Sequence, residues 1–414
     1  MTKQRRTRYL ITLGLLWAFG VTLMRGLRRP NDWAEAHWLI SYDFGLIKRG
    51  LAGTMLKPLI SLAPTQAESI ITAVSFVITA LFSIALLAIC WSILQRSTFS
   101  TTAVLIIAVF LTSPFIVMSG HLNGYSDGQI MILSIIATAL ALRGRMWAAA
   151  LVLTLGLFVH ETIFILGFPV VLWVGLMPFN ANKKRFAWMQ LTPFLLPLVA
   201  FIALFFYQSY AVDAGNLERA LVTHLKAFPF IQYDQEVIVP RSFAKSFVAQ
   251  FQSQSPRVWG RLFDPYLMAT IVPVTLVIVF FAHDVLRASN ISRRLRIVGI
   301  LLPFLPLLLH LIAWDTPRIW TYPIFVAMLI SWVACRLADP HELAALNPRP
   351  LNIACLLILP LNIFGQIPLM DWRVERYSAL WRIILYSPLA AVLLQTVAHR
   401  PHSDYTQADN QIDD

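Results

Sequence analysis

Acidic side chains suited to proton transfer are concentrated near the start of the chain, in residues 28–56, which read RRPNDWAEAHWLISYDFGLIKRGLAGTML. Asp32 and Asp43 are eleven positions apart, and Glu35 follows Asp32 by three. On a continuous helix this spacing spans three turns, so the two aspartates would share a face. A carboxylate placed in this way can take a proton from an attacking hydroxyl group. The segment therefore predicts a catalytic base, with Asp32 and Asp43 as rivals and Glu35 as a neighbour.

A basic pair, Lys48 and Arg49, follows in the same segment after a break at Gly45. Cationic side chains next to a carboxylate suit a transfer reaction, because they can hold a departing phosphate group. The alternative is an interfacial helix whose charges contact lipid headgroups. For any single charge the sequence leaves both interpretations open, whereas the set as a whole favours a functional site.

Two short turns carry further candidates. GHLNGYSDG, residues 120–128, presents Asp127, which could either face a substrate or cap the helix that follows it. His160 and Glu161 interrupt a long apolar run, which predicts a polar tip between two spans rather than a charged pair at mid-bilayer. This pair could contact a phosphate, relay a proton or bind a metal.

A third turn, AWDTPRIW at residues 313–320, places Asp315 and Arg318 three positions apart. They could pair with each other, or Arg318 could reach a lipid phosphate. A composite metal site would have to add His121 and His310 to the His160–Glu161 pair, since a metal site needs three or four ligands. A divalent cation, Mg²⁺ or Mn²⁺, therefore stays an open alternative. DWRVER, residues 371–376, is predicted to be an amphipathic interfacial piece.

The composition defines the class of protein that must position these residues. The chain has 414 residues, 58% hydrophobic and 13% charged, with a mean hydropathy of +0.67. A soluble protein would carry about 25% charged residues, so we predict an all-α polytopic membrane protein. Lysine and arginine concentrate in cytoplasmic loops, so the net charge of +12 calls for no nucleic acid. The three cysteines lie in apolar runs and are predicted to be small core residues.

Hydropathy predicts about twelve spanning helices of about 17 to 25 residues. They are 9–27, 69–94, 101–120, 126–142, 146–159, 162–178, 187–210, 265–286, 297–313, 319–337, 351–367 and 380–397. Two long outer loops, 28–68 and 211–264, are predicted to contain interfacial helices. We expect a first module at residues 1–286, additional spans at 287–400 and a disordered tail at 401–414.

The positive-inside rule orients these spans. Among the short loops, lysine and arginine favour one side strongly, which predicts that both termini face the cytoplasm. All the candidate residues then lie on the outer side of a plasma (inner) membrane. Ionisable residues at a membrane boundary are costly unless they have a role, so their grouping on one side predicts a single outer site.

This arrangement resembles the C-type membrane glycosyltransferases (the GT-C superfamily). The resemblance covers the order of spans and long loops over residues 9–286, and PNDWAEAHWL is similar to the family's acidic motif in the first outer loop. Asp127 in GYSDG is similar to the acidic residue that often opens the fourth span. This chain has Asp-x-x-Glu where the family usually has an adjacent acidic pair or Asp-x-Asp.

The resemblance implies transfer of a sugar from a polyprenyl-phosphate carrier to an acceptor hydroxyl, with Asp32 as the base. Two alternatives remain. An O-antigen-type polymerase or ligase would use outer arginines without an essential carboxylate, so alanine at Asp32 would spare it. A lipid or solute transporter would place polar groups near mid-membrane and use broken helices. The sequence leaves the sugar, the acceptor and the oligomeric state open.

Overall fold

A computed structural model describes residues 3–177, 191–289, 291–366, 369–370 and 375–398, and within these ranges every regular element is a helix. The first half contains α1 Lys3–Gly26, α2 Asp32–Leu39, α3 Gly50–Leu62, α4 Ala67–Arg96, α5 Thr101–Leu111, α6 Pro114–His121, α7 Asp127–Leu142, α8 Met146–Val159, α9 Ile163–Leu166 and α10 Phe168–Gly175. The second half contains α11 Leu195–Phe206, α12 Ala214–Leu225, α13 Tyr233–Ala244, α14 Phe247–Gln254, α15 Val258–Leu262, α16 Pro265–Ala288, α17 Arg293–Leu301, α18 Thr316–Leu337, α19 Pro340–Ala345, α20 Arg349–Phe364 and α21 Ala379–Ala398. The predicted tail, 401–414, lies outside the described residues.

The prediction of an all-helical fold with apolar helices long enough to cross a membrane is confirmed for the described residues. Each of the twelve predicted segments contains helix wherever it is described, but only eight helical stretches in the described ranges are long and apolar enough to cross a membrane. The segments at α7, α8, α9–α10 and α20 have helices of 10–17 residues. The count of twelve spans is therefore not confirmed. The three cysteines are buried and free, as predicted.

Two long segments form the centre of the bundle. In Thr101–His121, which contains α5 and α6, and in Thr316–Leu337, which is α18, 94% of the most apolar window is buried. Helix α18 packs along α16 and α4, and α5 packs against α20. The first and last helices, α1 and α21, pack side by side. The residues that follow α6 and precede α18 are consequently held by the most enclosed part of the fold.

The two long loops pack on each other instead of lying apart. Their helices share a second hydrophobic cluster, separate from the core of the bundle, in which residues such as Ile40 and Ile47 meet Leu221 and Phe243. This cluster covers one end of the bundle. This packing of the two loops is stabilised by the hydrophobic effect, because apolar side chains of each loop are removed from water by contact with the other.

The prediction that Asp32 and Asp43 share one helix face is wrong. Helix α2 ends at Leu39, and Ile40 and Ser41 are extended. The chain leaves the helical conformation at Ile40, and the side chain of this residue is fully buried in the cluster that the two loops share. Asp43 then lies on a separate turn of 3-10 helix, Tyr42–Phe44.

Candidate functional site

Direct contacts gather the predicted residues at one end of the bundle. Arg49 of the first loop binds Glu161, and His160–Glu161 lies in the break between α8 and α9. Asp32 of the first loop accepts a hydrogen bond from the backbone of Gln232 in the second, at 3.2 Å. Three segments far apart in sequence therefore meet on the same side of the apolar helices.

One group of contacts, the Arg318 network, joins α7 to α18. Arg318 Nη2 lies 2.6 Å from Asp315 Oδ2, and Nη1 lies 3.6 Å from Asp127 Oδ2. The hydroxyl of Tyr322 donates to the other oxygen of Asp127. Asp127 is the first residue of α7 but its carboxylate faces α18, so helix capping is not its role. The predicted Asp315–Arg318 pair is present, with Asp127 as an additional partner.

A second group, the Arg49 network, joins the first loop to the tip and to the second loop. Arg49 Nε lies 2.9 and 3.1 Å from the two carboxylate oxygens of Glu161, and Lys48 Nζ donates to the carbonyl of Lys245 at 2.7 Å. Arg49 has a left-handed backbone, with φ of 64°. A non-glycine residue keeps this strained conformation when contacts around it stabilise it, and here the ion pair with Glu161 is such a contact.

Burial and charge set the protonation of this network. Burial opposes ionisation of Glu161, but the paired guanidinium of Arg49 outweighs it and holds the pKa of Glu161 well below its usual range. Burial, assisted by Arg49, lowers the pKa of Lys48 to about 7. Burial and Arg49 likewise hold the pKa of His160 well below its ordinary value. His160 Nδ1 contacts Thr162 Oγ1 at 2.9 Å.

His37 is a half-buried histidine, close to the charges of both networks, that the sequence did not single out as a site residue. Its ring meets Phe243 edge-on, with centroids 4.9 Å apart, and its Nε2 is buried without a hydrogen-bond partner in the described part of the chain. Burial, followed by the charges of Arg49 and Arg318, keeps the pKa of His37 well below its usual range. The two networks therefore share one electrostatic environment.

The three acidic candidates of the first loop have different surroundings. Glu35 is 5% exposed, and burial, Glu68 and Asp32 together raise its pKa to about 7. Asp43 lies at the surface, 2.5 Å from Lys57 Nζ, in a pair whose side chains are about half exposed. Hydrogen bonding to Lys57 lowers the pKa of Asp43. Of the three, Asp32 is the one that lines a sizeable cavity.

That cavity is the first lobe of a groove, with a volume of about 440 Å³. Asp32 and Asp315 both line it, which brings a residue of the first loop beside the turn that precedes α18. Its other lining residues are aromatic or carry amides for the most part, and they are Arg28, Asn31, Trp33, Tyr125, Gln232, Gln235, Ile238, Trp314 and Met370. Aromatic faces with a few polar groups at fixed positions are typical of a small-molecule site.

A second lobe of about 390 Å³ adjoins the first, and Trp314, Asp315 and Met370 line both. Arg261 and Asp264 bring charge to this lobe, and Tyr266 and Leu267 bring the first turn of α16. Because α16 is one of the eight apolar helices long enough to cross a membrane, the second lobe adjoins a spanning segment. Lys48 and Arg49 line neither lobe, so their proposed contact with phosphate stays a prediction, and their side chains have the partners described above.

Within the described residues, His121 and His310 do not join the His160–Glu161 pair in a composite metal site. In the described ranges no three His, Cys, Asp or Glu side chains are grouped as metal ligands would be. His121 Nε2 lies 3.1 Å from the carbonyl of Met370. His310 is fully buried, and neither of its ring nitrogens has a hydrogen-bond partner among the described residues.

A buried ion cluster that sequence reasoning missed joins α1 to α21. Glu375 Oε2 lies 2.7 Å from Arg25 Nε and 2.8 Å from Arg382 Nη2, and the side chains of all three are 0–2% exposed. Of the DWRVER piece, residues 371–374 lie outside the described residues, and Glu375 is buried rather than interfacial. Arg25 inside the first apolar run was the available signal, because a cation there requires a partner.

Comparison with known proteins found no match for the chain among protein-family models, curated proteins or solved structures.

Proposed function

We propose that this protein transfers a glycosyl group from a polyprenyl-phosphate carrier to an acceptor hydroxyl at the outer face of a plasma membrane, as a GT-C-type enzyme. The observation that carries the proposal is the groove, in which Asp32 and Asp315 line a lobe rich in aromatic and amide side chains at the end of an apolar bundle. Carboxylates and amides bond to sugar hydroxyls, and aromatic faces cover the apolar faces of sugar rings.

The second lobe suits the carrier. It adjoins α16, so a lipid-linked donor can approach from the bilayer, and Arg261 supplies a guanidinium group to face the phosphate. This guanidinium suits stabilisation of the negative charge that develops on the departing phosphate. Arg318 pairs with Asp315 and Asp127, so its charge is balanced by theirs.

The proposed reaction forms one bond and breaks one bond at the sugar's anomeric carbon. The acceptor oxygen bonds to that carbon, and the bond from that carbon to the phosphate oxygen breaks with its electron pair passing to the phosphate. Polyprenyl phosphate departs. The acceptor hydroxyl proton passes to the carboxylate of Asp32, which returns it to water.

The direct test uses purified protein, a panel of radiolabelled undecaprenyl-phosphate hexoses and pentoses, and octyl glycosides as acceptors. Wild type should move label to one acceptor, and Asp32→Asn should lower that rate by at least about a hundredfold because the general base is lost. Asp213→Asn is the matched control, since Asp213 caps α12 in the other long loop and asparagine caps equally well. Absence of transfer with every donor, or full activity of Asp32→Asn, would contradict the proposal.

Interrupted helices favour a second candidate, a transporter. The third predicted span is broken at Ser113, between α5 and α6, and Leu302–Leu311 continues α17 as 3-10 helix. Broken helices are typical of transporters. In a vesicle assay a transporter would move a carrier-linked sugar across the bilayer with its glycosyl bond intact, whereas the proposed enzyme would release polyprenyl phosphate.

A further inference from the structure

Trp314 occupies a distinctive position in the groove. It lines both lobes, and 58% of its surface is exposed, although it lies in the short turn that precedes the buried helix α18. Asp315 and Met370 also line both lobes, but Met370 is only 8% exposed and the Asp315 side chain 13%. Of the three shared residues, Trp314 is thus the most exposed and has the largest side chain in contact with both lobes.

The backbone around Trp314 is held on both sides. Arg261 Nη1 donates to the carbonyl of Ala313 at 3.0 Å, and the amide of Thr316 donates to the carbonyl of Trp314 at 2.7 Å. The amide of Ala313 donates in turn to the carbonyl of Leu309 at 2.8 Å. The indole therefore stands on a fixed turn, and its place between the lobes does not depend on a mobile loop.

The lobes on either side of the indole differ in chemistry. The first offers three amide side chains beside Asp32 and Arg28, and these polar groups suit a hydroxyl-rich acceptor. The second offers Arg261 and Asp264 beside the first turn of α16, and its guanidinium suits a lipid phosphate. The bond that is broken and the hydroxyl that attacks must then meet where the lobes adjoin, next to Asp315. A flat apolar ring at that place removes volume that water would otherwise occupy.

We infer that Trp314 separates the acceptor lobe from the donor lobe and determines whether the glycosyl group passes to the acceptor or to water. This inference rests on the proposed transfer and adds a specificity-determining residue to it. In the competing hydrolysis, a water oxygen bonds to the anomeric carbon, the bond to the phosphate oxygen breaks, and one water proton passes to the same carboxylate. The products are free sugar and polyprenyl phosphate.

The experiment measures the ratio of free sugar to glycosylated octyl glycoside with a radiolabelled undecaprenyl-phosphate sugar that wild type uses. Trp314→Ala should raise this ratio about tenfold, because water gains access to the anomeric carbon while the acceptor is less well positioned. Trp314→Phe retains an aromatic ring and should stay close to the wild-type ratio. Trp259→Ala is the matched control, since Trp259 is 67% exposed and lines neither lobe.

Three unfavourable results are distinguishable. If wild type neither transfers nor hydrolyses any donor, the proposed function itself is wrong, and this inference with it. If wild type transfers but Trp314→Ala lowers transfer and hydrolysis together with an unchanged ratio, the indole has only a structural role. A ratio of free sugar to glycosylated acceptor that rises as much in Trp314→Phe as in Trp314→Ala would also contradict separation by an aromatic ring.

Discussion

Single residues in this protein owe their charge state to what surrounds them, and Glu161 is the clearest case. It is buried, and its carboxylate is bound by Arg49, whose backbone is left-handed. Removal of one partner from a buried pair leaves an unpaired charge, which costs about 3–5 kcal/mol. The Arg49–Glu161 contact is therefore expected to matter for stability more than any surface pair.

Glu161→Gln tests this expectation. The variant should lower the free energy of unfolding by about 3–5 kcal/mol, measured by denaturation in detergent micelles. Glu218→Gln is the control, since Glu218 pairs with Arg241 at 3.3 Å on the surface and such pairs contribute about 0–1 kcal/mol. Equal effects of the two substitutions would show that Glu161 is not the main link between the tip and the first loop.

Glu35 should make stability depend on pH. Burial, Glu68 and Asp32 raise its pKa to about 7 from an ordinary value of 4.5, so the folded state binds more protons than the unfolded state between these values. Stability consequently falls as pH rises through this window. Glu35→Gln should raise Tm by a few degrees at about pH 8, where wild-type Glu35 is ionised, with a much smaller effect at about pH 5. A Tm difference that does not change between the two pH values would contradict the raised pKa.

At the scale of elements, the buried cluster of Arg25, Glu375 and Arg382 joins the first helix to the last. Arg25 also donates to the backbone carbonyl of Asn362 at 2.8 Å, and Arg382 to that of Gly365 at 2.9 Å. The end of α20 is thereby connected to the same cluster. The N-terminal and C-terminal helices are expected to unfold together for this reason.

Glu375→Gln should separate them. Loss of the shared carboxylate leaves two buried guanidinium groups close together, which should lower the free energy of unfolding by about 3–5 kcal/mol. The substitution should also increase protease cleavage in the turn that precedes α21. This cleavage should occur under conditions in which the rest of the bundle is still folded. Glu342→Gln, an exposed position in α19, serves as the control. Cleavage and stability equal to wild type would show that apolar packing alone holds α21 in place.

The cover formed by the two long loops is a second feature at this scale. Hydropathy predicted interfacial helices in both loops, and in the structure part of the apolar surface of each loop, including Ile40 and Leu221, is buried in one shared cluster. A helix with one apolar face can bury that face against lipid or against protein, and the periodicity of a single sequence does not distinguish the two. The partner surface had to be known.

At the scale of the whole molecule, orientation in the membrane is the main open prediction. Labelling with a membrane-impermeant maleimide tests it, because Cys90, Cys335 and Cys355 are buried and should contribute little background. In cells with a permeable outer envelope, Asp43→Cys should react without further treatment. Arg145→Cys, in an exposed basic turn, should react only after the membrane is opened. Reaction of both positions from the same side would contradict the predicted arrangement.

Some of this architecture follows from the sequence alone. The apolar composition requires a helical membrane protein, because backbone groups in lipid must find partners within their own segment. His160 and Glu161 mark a tip for a related reason, since a charged pair is too costly in the middle of a span. Short-range features such as the Asp315–Arg318 pair could also be predicted from the sequence, because a separation of three positions places the two side chains within reach of each other.

Tertiary structure decided which of these groups act together. Asp32 and Asp43 look equivalent on the sequence, but burial of Ile40 ends the helix between them and leaves Asp32 at the groove and Asp43 beside Lys57. Lys48 and Arg49 looked available to a substrate, yet both are held by groups more than a hundred positions away in the chain. Composition and spacing constrain local structure and solvent, whereas partners across the fold depend on how apolar surfaces pack, and that is a property of the whole chain.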